Sequence, residues 1–208
     1  MRASGWGSCW RVRAGRRLGL VLLVAVSFAV SVSAARAADQ ASSVSAGDVH
    51  SCAVLADKTV NCWGRNALGQ LGNGTTTDSP VPLPVSVSGI TDALSVSAGN
   101  VHSCAVLAGK TVKCWGYNRY GRLGDGTTTD SSVPVSVSGI TDALSVSAGS
   151  WHSCAVLAGK TVKCWGYNGY GQLGDGTTTG SFVPVSVSGI TDALSVSGAA
   201  ARIGDRFG

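Results

Sequence analysis

Residues 99–148 and 149–198 are one 50-residue sequence written twice, differing at seven positions, and an earlier copy begins at Ser45. A repeat of this length is a single supersecondary unit that cannot bury its own apolar face and must stack on its neighbours. The chain is therefore expected to be a repeat array, with copies at about 45–98, 99–148 and 149–197 inside a region spanning 43–197. Successive Trp-Gly pairs start at Trp63, Trp115 and Trp165, spaced by 52 and then 50 residues. The longer first spacing comes from two extra residues, Pro82 and Leu83.

Each copy holds four short runs rich in Val and Ser, with alternation over much of their length and Gly, Pro or Asp at their ends. In one period these are VPVSV (133–137), ALSVSA (143–148), HSCAVLA (152–158) and TVKCWG (161–166). The last two flank a tight turn at Gly159-Lys160 and read as a hairpin. The following YNGYGQLGDGTTTG is too rich in Gly and Thr for strand or helix and is predicted to be an ordered loop. Four strands per period of about 50 is the pattern of a propeller blade. The expected fold is all-β: a partial β-propeller of about three four-stranded blades. Such a stack leaves an unpaired edge at each end, which invites self-association.

The N-terminus is of another kind. Residues 1–17 hold five arginines and no acid, and an apolar run from Leu18 to Val32 leads to Ala35-Arg36-Ala37. This is the pattern of a signal peptide over 1–37, with cleavage expected between Ala37 and Ala38; an uncleaved anchor is the other reading. Arg16-Arg17 makes a poor twin-arginine signal, because the flanking residues do not match. The whole chain is formally +5. Six of its 16 basic residues lie in this segment, and the remaining ten Lys/Arg stand against 11 Asp and no Glu. The mature part is thus near neutral and lacks the basic footprint of a nucleic-acid binder. The expected location is secreted, cell-surface or periplasmic, with no stable membrane anchor after cleavage.

Two motifs carry a family resemblance. SAGDVHSCAVL, SAGNVHSCAVL and SAGSWHSCAVL lead respectively into CWGRNALGQLGNGT, CWGYNRYGRLGDGT and CWGYNGYGQLGDGT. These resemble the regulator of chromosome condensation repeat, whose family forms seven-bladed propellers. The terminal Trp-Asp of WD repeats and the double Gly of kelch repeats are absent. Only three repeats occur, and after Ser197 the pattern gives way to GAAARIGDRFG, read as an irregular, truncated tail over 198–208.

With Cys9 removed, six cysteines remain as pairs ten residues apart: Cys52 and Cys62, Cys104 and Cys114, Cys154 and Cys164. Within each pair the two flank the hairpin turn symmetrically, which sets them opposite one another on neighbouring strands, within disulfide reach. Export favours disulfides. Free thiols are a second reading, and a metal held by His50, Cys52 and Cys62 a third, although that spacing matches no common zinc pattern.

His50, His102 and His152 recur once per copy, as do Trp63, Trp115 and Trp165. A catalytic histidine is needed once, beside a nucleophile or acid; a residue present in every blade is expected to hold blades together, the histidines by bonding backbone between strands. Gly-Asp-Gly-Thr-Thr-Thr at 124–129 and 174–179 lacks the acidic ligands of a calcium loop and the Lys of a phosphate loop. It is expected to be a turn closed by Asp125 or Asp175. Asn73-Gly74-Thr75 is a formal glycosylation triplet. No catalytic residue, metal or cofactor is expected.

The differences between the second and third copies fall mostly in loops, where propellers meet partners. Arg119, Arg122, Trp151 and Phe182 are the candidate partner-binding residues among them. The expected function is a non-catalytic, exported module that binds a protein or a surface polymer, alone or as a fragment of a larger propeller. The family resemblance implies guanine-nucleotide exchange as an alternative, disfavoured by export and by the absence of an inserted wedge segment. A secreted hydrolase is a further alternative, although no carboxylate pair stands out.

Overall fold

The computed structural model describes residues 41–80 and 85–198. The expected signal peptide with its Ala37–Ala38 junction, the inserted Pro82 and Leu83, and the tail beyond Gly198 lie outside the described residues. Among the described residues, twelve strands form three antiparallel four-stranded sheets, each a simple meander. The first blade contains β1 (Ala41–Ala46), β2 (His50–Leu55), β3 (Val60–Gly64) and β4 (Val85–Ser86). The second contains β5 (Ala93–Ala98), β6 (His102–Leu107), β7 (Val112–Gly116) and β8 (Ser131–Ser136). The third contains β9 (Ala143–Ala148), β10 (His152–Leu157), β11 (Val162–Gly166) and β12 (Ser181–Ser186). This is a partial propeller of three blades.

The sheets cut the repeat at a different place from the sequence period. ALSVSA ends one copy of the repeat, yet it opens the sheet of the next blade, where it pairs with HSCAVL. The third such segment, at 193–197, has no HSCAVL after it and forms no strand among the described residues. Extended backbone becomes a strand only when its N–H and C=O groups meet a partner.

Between consecutive blades lies one apolar layer. The blade in front contributes the cystine and two valines, as Cys52, Val54, Val60 and Cys62, with Leu71 from its loop. The blade behind covers them with Val96, Ala98, Ala105, Leu107 and Trp115. The layer between blades 2 and 3 repeats this with Cys104, Val106, Val112, Cys114 and Leu123 against Ala148, Ala155, Leu157 and Trp165. All six residues of β6 are buried, because blade 2 has a neighbour on each face. The same HSCAVL in β2 leaves Ser51 and Leu55 half-exposed, because among the described residues no blade packs on that side of blade 1.

The central hairpins are tight. Lys58, Lys110 and Lys160 each have a positive φ near 60°, giving a three-residue turn whose last residue is left-handed. That conformation turns the lysine carbonyl outward to the next blade: Lys58 O accepts from Ala93 N and Lys110 O from Ala143 N. Glycine precedes Lys110 and Lys160 but does not carry the left-handed angle. Across each hairpin the cysteines sit directly opposite one another and are disulfide-bonded, with Cα–Cα separations of 4.1, 4.0 and 4.0 Å. Such short spacing belongs to non-hydrogen-bonded pairs.

Candidate functional site

A polar thread runs through each apolar layer. His50 Nε2 is 2.7 Å from Ser103 Oγ, Ser103 Oγ donates to the Gln70 carbonyl at 3.1 Å, and Trp115 Nε1 donates to the same carbonyl at 2.9 Å. His102, Ser153, Arg122 O and Trp165 repeat the pattern one blade on. The expected histidine partner was backbone; the structure gives a serine hydroxyl of the next blade instead. Serine's one proton goes to the carbonyl, so the histidine must donate from Nε2, leaving Nδ1 unprotonated. Nδ1 of both His50 and His102 is buried with no partner among the described residues. Burial lowers the His50 pKa to about 4 and pushes His102 well below the ordinary range. The pair has the spacing of a nucleophile and its base, but the proton runs the wrong way and the serine is fully buried. Among the described residues no group of His, Cys, Asp or Glu is placed to hold a metal ion.

The loop after the hairpin is organised by Asn66, Asn118 and Asn168, all fully buried. Asn118 Nδ2 donates to Asp125 and to Thr127 O, while its Oδ1 accepts from Leu123 N. Asp125 and Asp175 close their turns by accepting from Thr127 N and Thr177 N. The loop reaches across to the next blade, where Gly126 N donates to Phe182 O. Its Gly124 has φ +70° and lies under the Trp165 indole, which a Cβ there would meet at 2.7 Å.

These loops gather an aromatic and guanidinium cluster at one end of the blade 2–blade 3 junction. Tyr120 and Tyr167 rings lie 5.2 Å apart across the junction, and Tyr167 meets Trp151 edge-on at 5.3 Å and Tyr170 at 6.1 Å. The Arg122 guanidinium lies 4.7 Å from the Tyr117 ring and 5.6 Å from that of Tyr120. Arg122 is 1% exposed and its Nη1 donates to Ser150 O of blade 3. Burial lowers its pKa to about 10, partly offset by Tyr117 and Tyr120. It remains charged at neutral pH and ties the two blades together beneath the rings.

The four candidate residues thus take different places. Arg119 is exposed beside Tyr120, Trp151 is half-buried in the cluster, and Phe182 is 46% exposed on β12 against Gly121. Arg122 presents no surface and braces the others. The four tyrosines were missed because copies two and three share them, so a comparison of those two copies is blind to them. The first copy would have shown them, since it has Arg65 and Leu68 at the corresponding positions.

Three meander sheets stacked through tryptophan layers, with long loops at one end, define a propeller-repeat protein. The profile of the "Regulator of chromosome condensation (RCC1) repeat" matches residues 59–106, 112–156 and 162–201. The chain belongs to this family. It is 41% identical over 87 residues to the ultraviolet-B receptor UVR8 of Arabidopsis thaliana, a match covering 42% of this chain and 20% of that one. It is 35% identical over 88 residues to the human E3 ubiquitin-protein ligase HERC2, covering 42% of this chain and 2% of the ligase. Prp20p from Saccharomyces cerevisiae is similar in structure, with a TM-score of 0.68 at 21% identity, over 77% of this chain and 42% of Prp20p. The chain therefore spans less than half the length of each of these relatives.

Proposed function

We propose that this protein is an exported, non-catalytic binding module whose contact surface is the aromatic cluster at the blade 2–blade 3 junction. The carrying observation is the set of four rings, Tyr120, Trp151, Tyr167 and Tyr170, converging at one end of the junction. Tyr120 is 36% and Tyr170 66% exposed, and large rings on rigid loops are the side chains that anchor interfaces. Arg119 at the rim adds a charge for an acidic group on a protein or a surface polymer. Protein binding is the mode that the fold family favours, and Prp20p has described binding properties to Gsp1p and histones. Export is supported by the N-terminal pattern and by the three cross-strand cystines, and it points to partners outside the cytoplasm.

The test is capture of proteins and polysaccharides from the host's own envelope and medium, using the purified chain and its Trp151→Ala and Tyr170→Ala variants. Loss of a captured partner in both variants, with melting temperature unchanged, supports the reading. Equal capture by all three chains sinks the assignment of the surface. Accelerated guanine-nucleotide release from a small GTPase would instead favour the exchange-factor alternative.

A further inference from the structure

The two end faces of the array carry the same residues that bury one another at its two internal junctions. We infer that the chain assembles head to tail with a second copy by strand exchange: residues 193–198 of one copy pair with β2 of the other, whose blade 1 covers the open face of blade 3.

Identical residues with different exposure mark what is left uncovered. Ile90 and Ile140 are 2% and 3% exposed, whereas Ile190 is 39% exposed. Trp115 and Trp165 are fully buried, whereas Trp63 is half-buried. On blade 3 the receiving groups are in place: His152, the Gln172 carbonyl and Leu173 correspond to His102, Arg122 O and Leu123. On blade 1 the matching groups are Ser51, Ala53, Leu55 and Trp63, which correspond to Ser153, Ala155, Leu157 and Trp165. Gly174, the seat of the next tryptophan, is met by Val187, where Gly72 and Gly124 are met by indoles.

Residues 193–198 already lie against blade 3 in the place that the inner strand of a following blade would take. Ala193 N donates to Lys160 O at 2.9 Å and Gly198 N to Ser147 Oγ at 2.7 Å. The start and end of β9 are held by the same two bonds, Ala143 N to Lys110 O and Ala148 N to Ser97 Oγ. Among the described residues, 193–198 therefore lack only the partner that β10 supplies to β9. The β2 strand of a second copy has the same HSCAVL sequence. One inner position admits one segment, and β1, whose ASSVSA nearly copies ALSVSG, is the one that gives way. The junction is heterologous, joining unlike faces, so each copy has one of each to offer.

Sedimentation of the full chain, as its host processes it, reads the result. The wild type is expected to weigh at least two copies and to dissociate on dilution. Trp63→Ala on one face and Ile190→Asp on the other each weaken assembly more than 10-fold, leaving a monomer with its circular dichroism unchanged; Val196→Asp stands in for Ile190→Asp if that variant misfolds. Mixing the two variants restores a two-copy species, because one junction remains intact. A monomeric wild type, variants that still assemble, or a mixture that stays monomeric overturns the head-to-tail junction. Val44→Asp lies on the displaced strand and leaves the mass unchanged; if it abolishes assembly, the strand exchange is overturned.

Discussion

His102 Nε2 lies 2.8 Å from the hydroxyl of Ser153, 51 residues further along the chain and in the next blade. Two positions that recur in every repeat thereby become one buried interblade bond, and its proton direction is set by the Arg122 carbonyl that Ser153 itself bonds at 3.0 Å. The same relation joins His50 to Ser103.

The histidines make stability depend on pH. Their folded pKa values lie below the ordinary 6.5, with His50 at about 4, so the folded state refuses a proton that the unfolded state accepts. Their contribution is whole above pH 6.5 and is lost as pH falls toward 4. At His50 the full loss is about 3 kcal/mol. Denaturant midpoints measured between pH 7.5 and 4 are expected to fall steadily, and His50→Gln to flatten the slope.

Ser153→Ala removes the acceptor of the His102 proton and one donor to the Arg122 carbonyl. A buried donor is left unmet, which costs about 1–3 kcal/mol. Urea unfolding of this variant is expected to show that loss with an unchanged m-value.

Gly124→Ala places a methyl group against the Trp165 ring at a left-handed position. The backbone strain and the overpacking together are expected to cost about 2–4 kcal/mol. Gly176 also has a positive φ, but nothing lies within 4 Å of a Cβ there. Gly176→Ala should therefore cost about 1 kcal/mol, from backbone strain alone. Thermal melts of the pair separate the two contributions.

Replacing Cys104 and Cys114 together by Ala removes a cross-link with a sequence separation of 10. Loop-closure entropy assigns about 2–3 kcal/mol to such a bridge. Guanidinium titration of this variant in non-reducing buffer is expected to show that loss, and adding reductant to the wild type should cost more, since three bridges then open.

Lys110 has φ 58°, a conformation that costs a residue with a Cβ about 1–2 kcal/mol. Its backbone carbonyl is used by Ala143, but its side chain is exposed. Lys110→Gly is expected to stabilise the chain by about 0.5–1 kcal/mol after glycine's greater unfolded-state freedom is subtracted. A rise in melting temperature checks it, and a fall would place the lysine side chain in a role of its own.

Much of the fold was legible in the chain because each repeat is a local object. The strands of HSCAVL and VKCWG, the cystine across their turn and the side-chain closure of the Asp125 and Asp175 turns all depend on residues within a few positions of one another. The site was less legible, since Tyr117, Tyr120, Tyr167 and Tyr170 acquire meaning only when two loops from different blades meet.

By itself the sequence determined the period, the strand content and the placing of each cysteine opposite another across its turn, because hydrophobic alternation and turn chemistry act over short range. Only the tertiary structure decided where a blade begins, since ALSVSA takes its hydrogen bonds from the strand that follows it rather than from the repeat that precedes it. It also decided which of three equal tryptophans are buried. Trp115 and Trp165 each have a blade to lie against and Trp63 has none among the described residues, and burial belongs to the neighbour as much as to the residue.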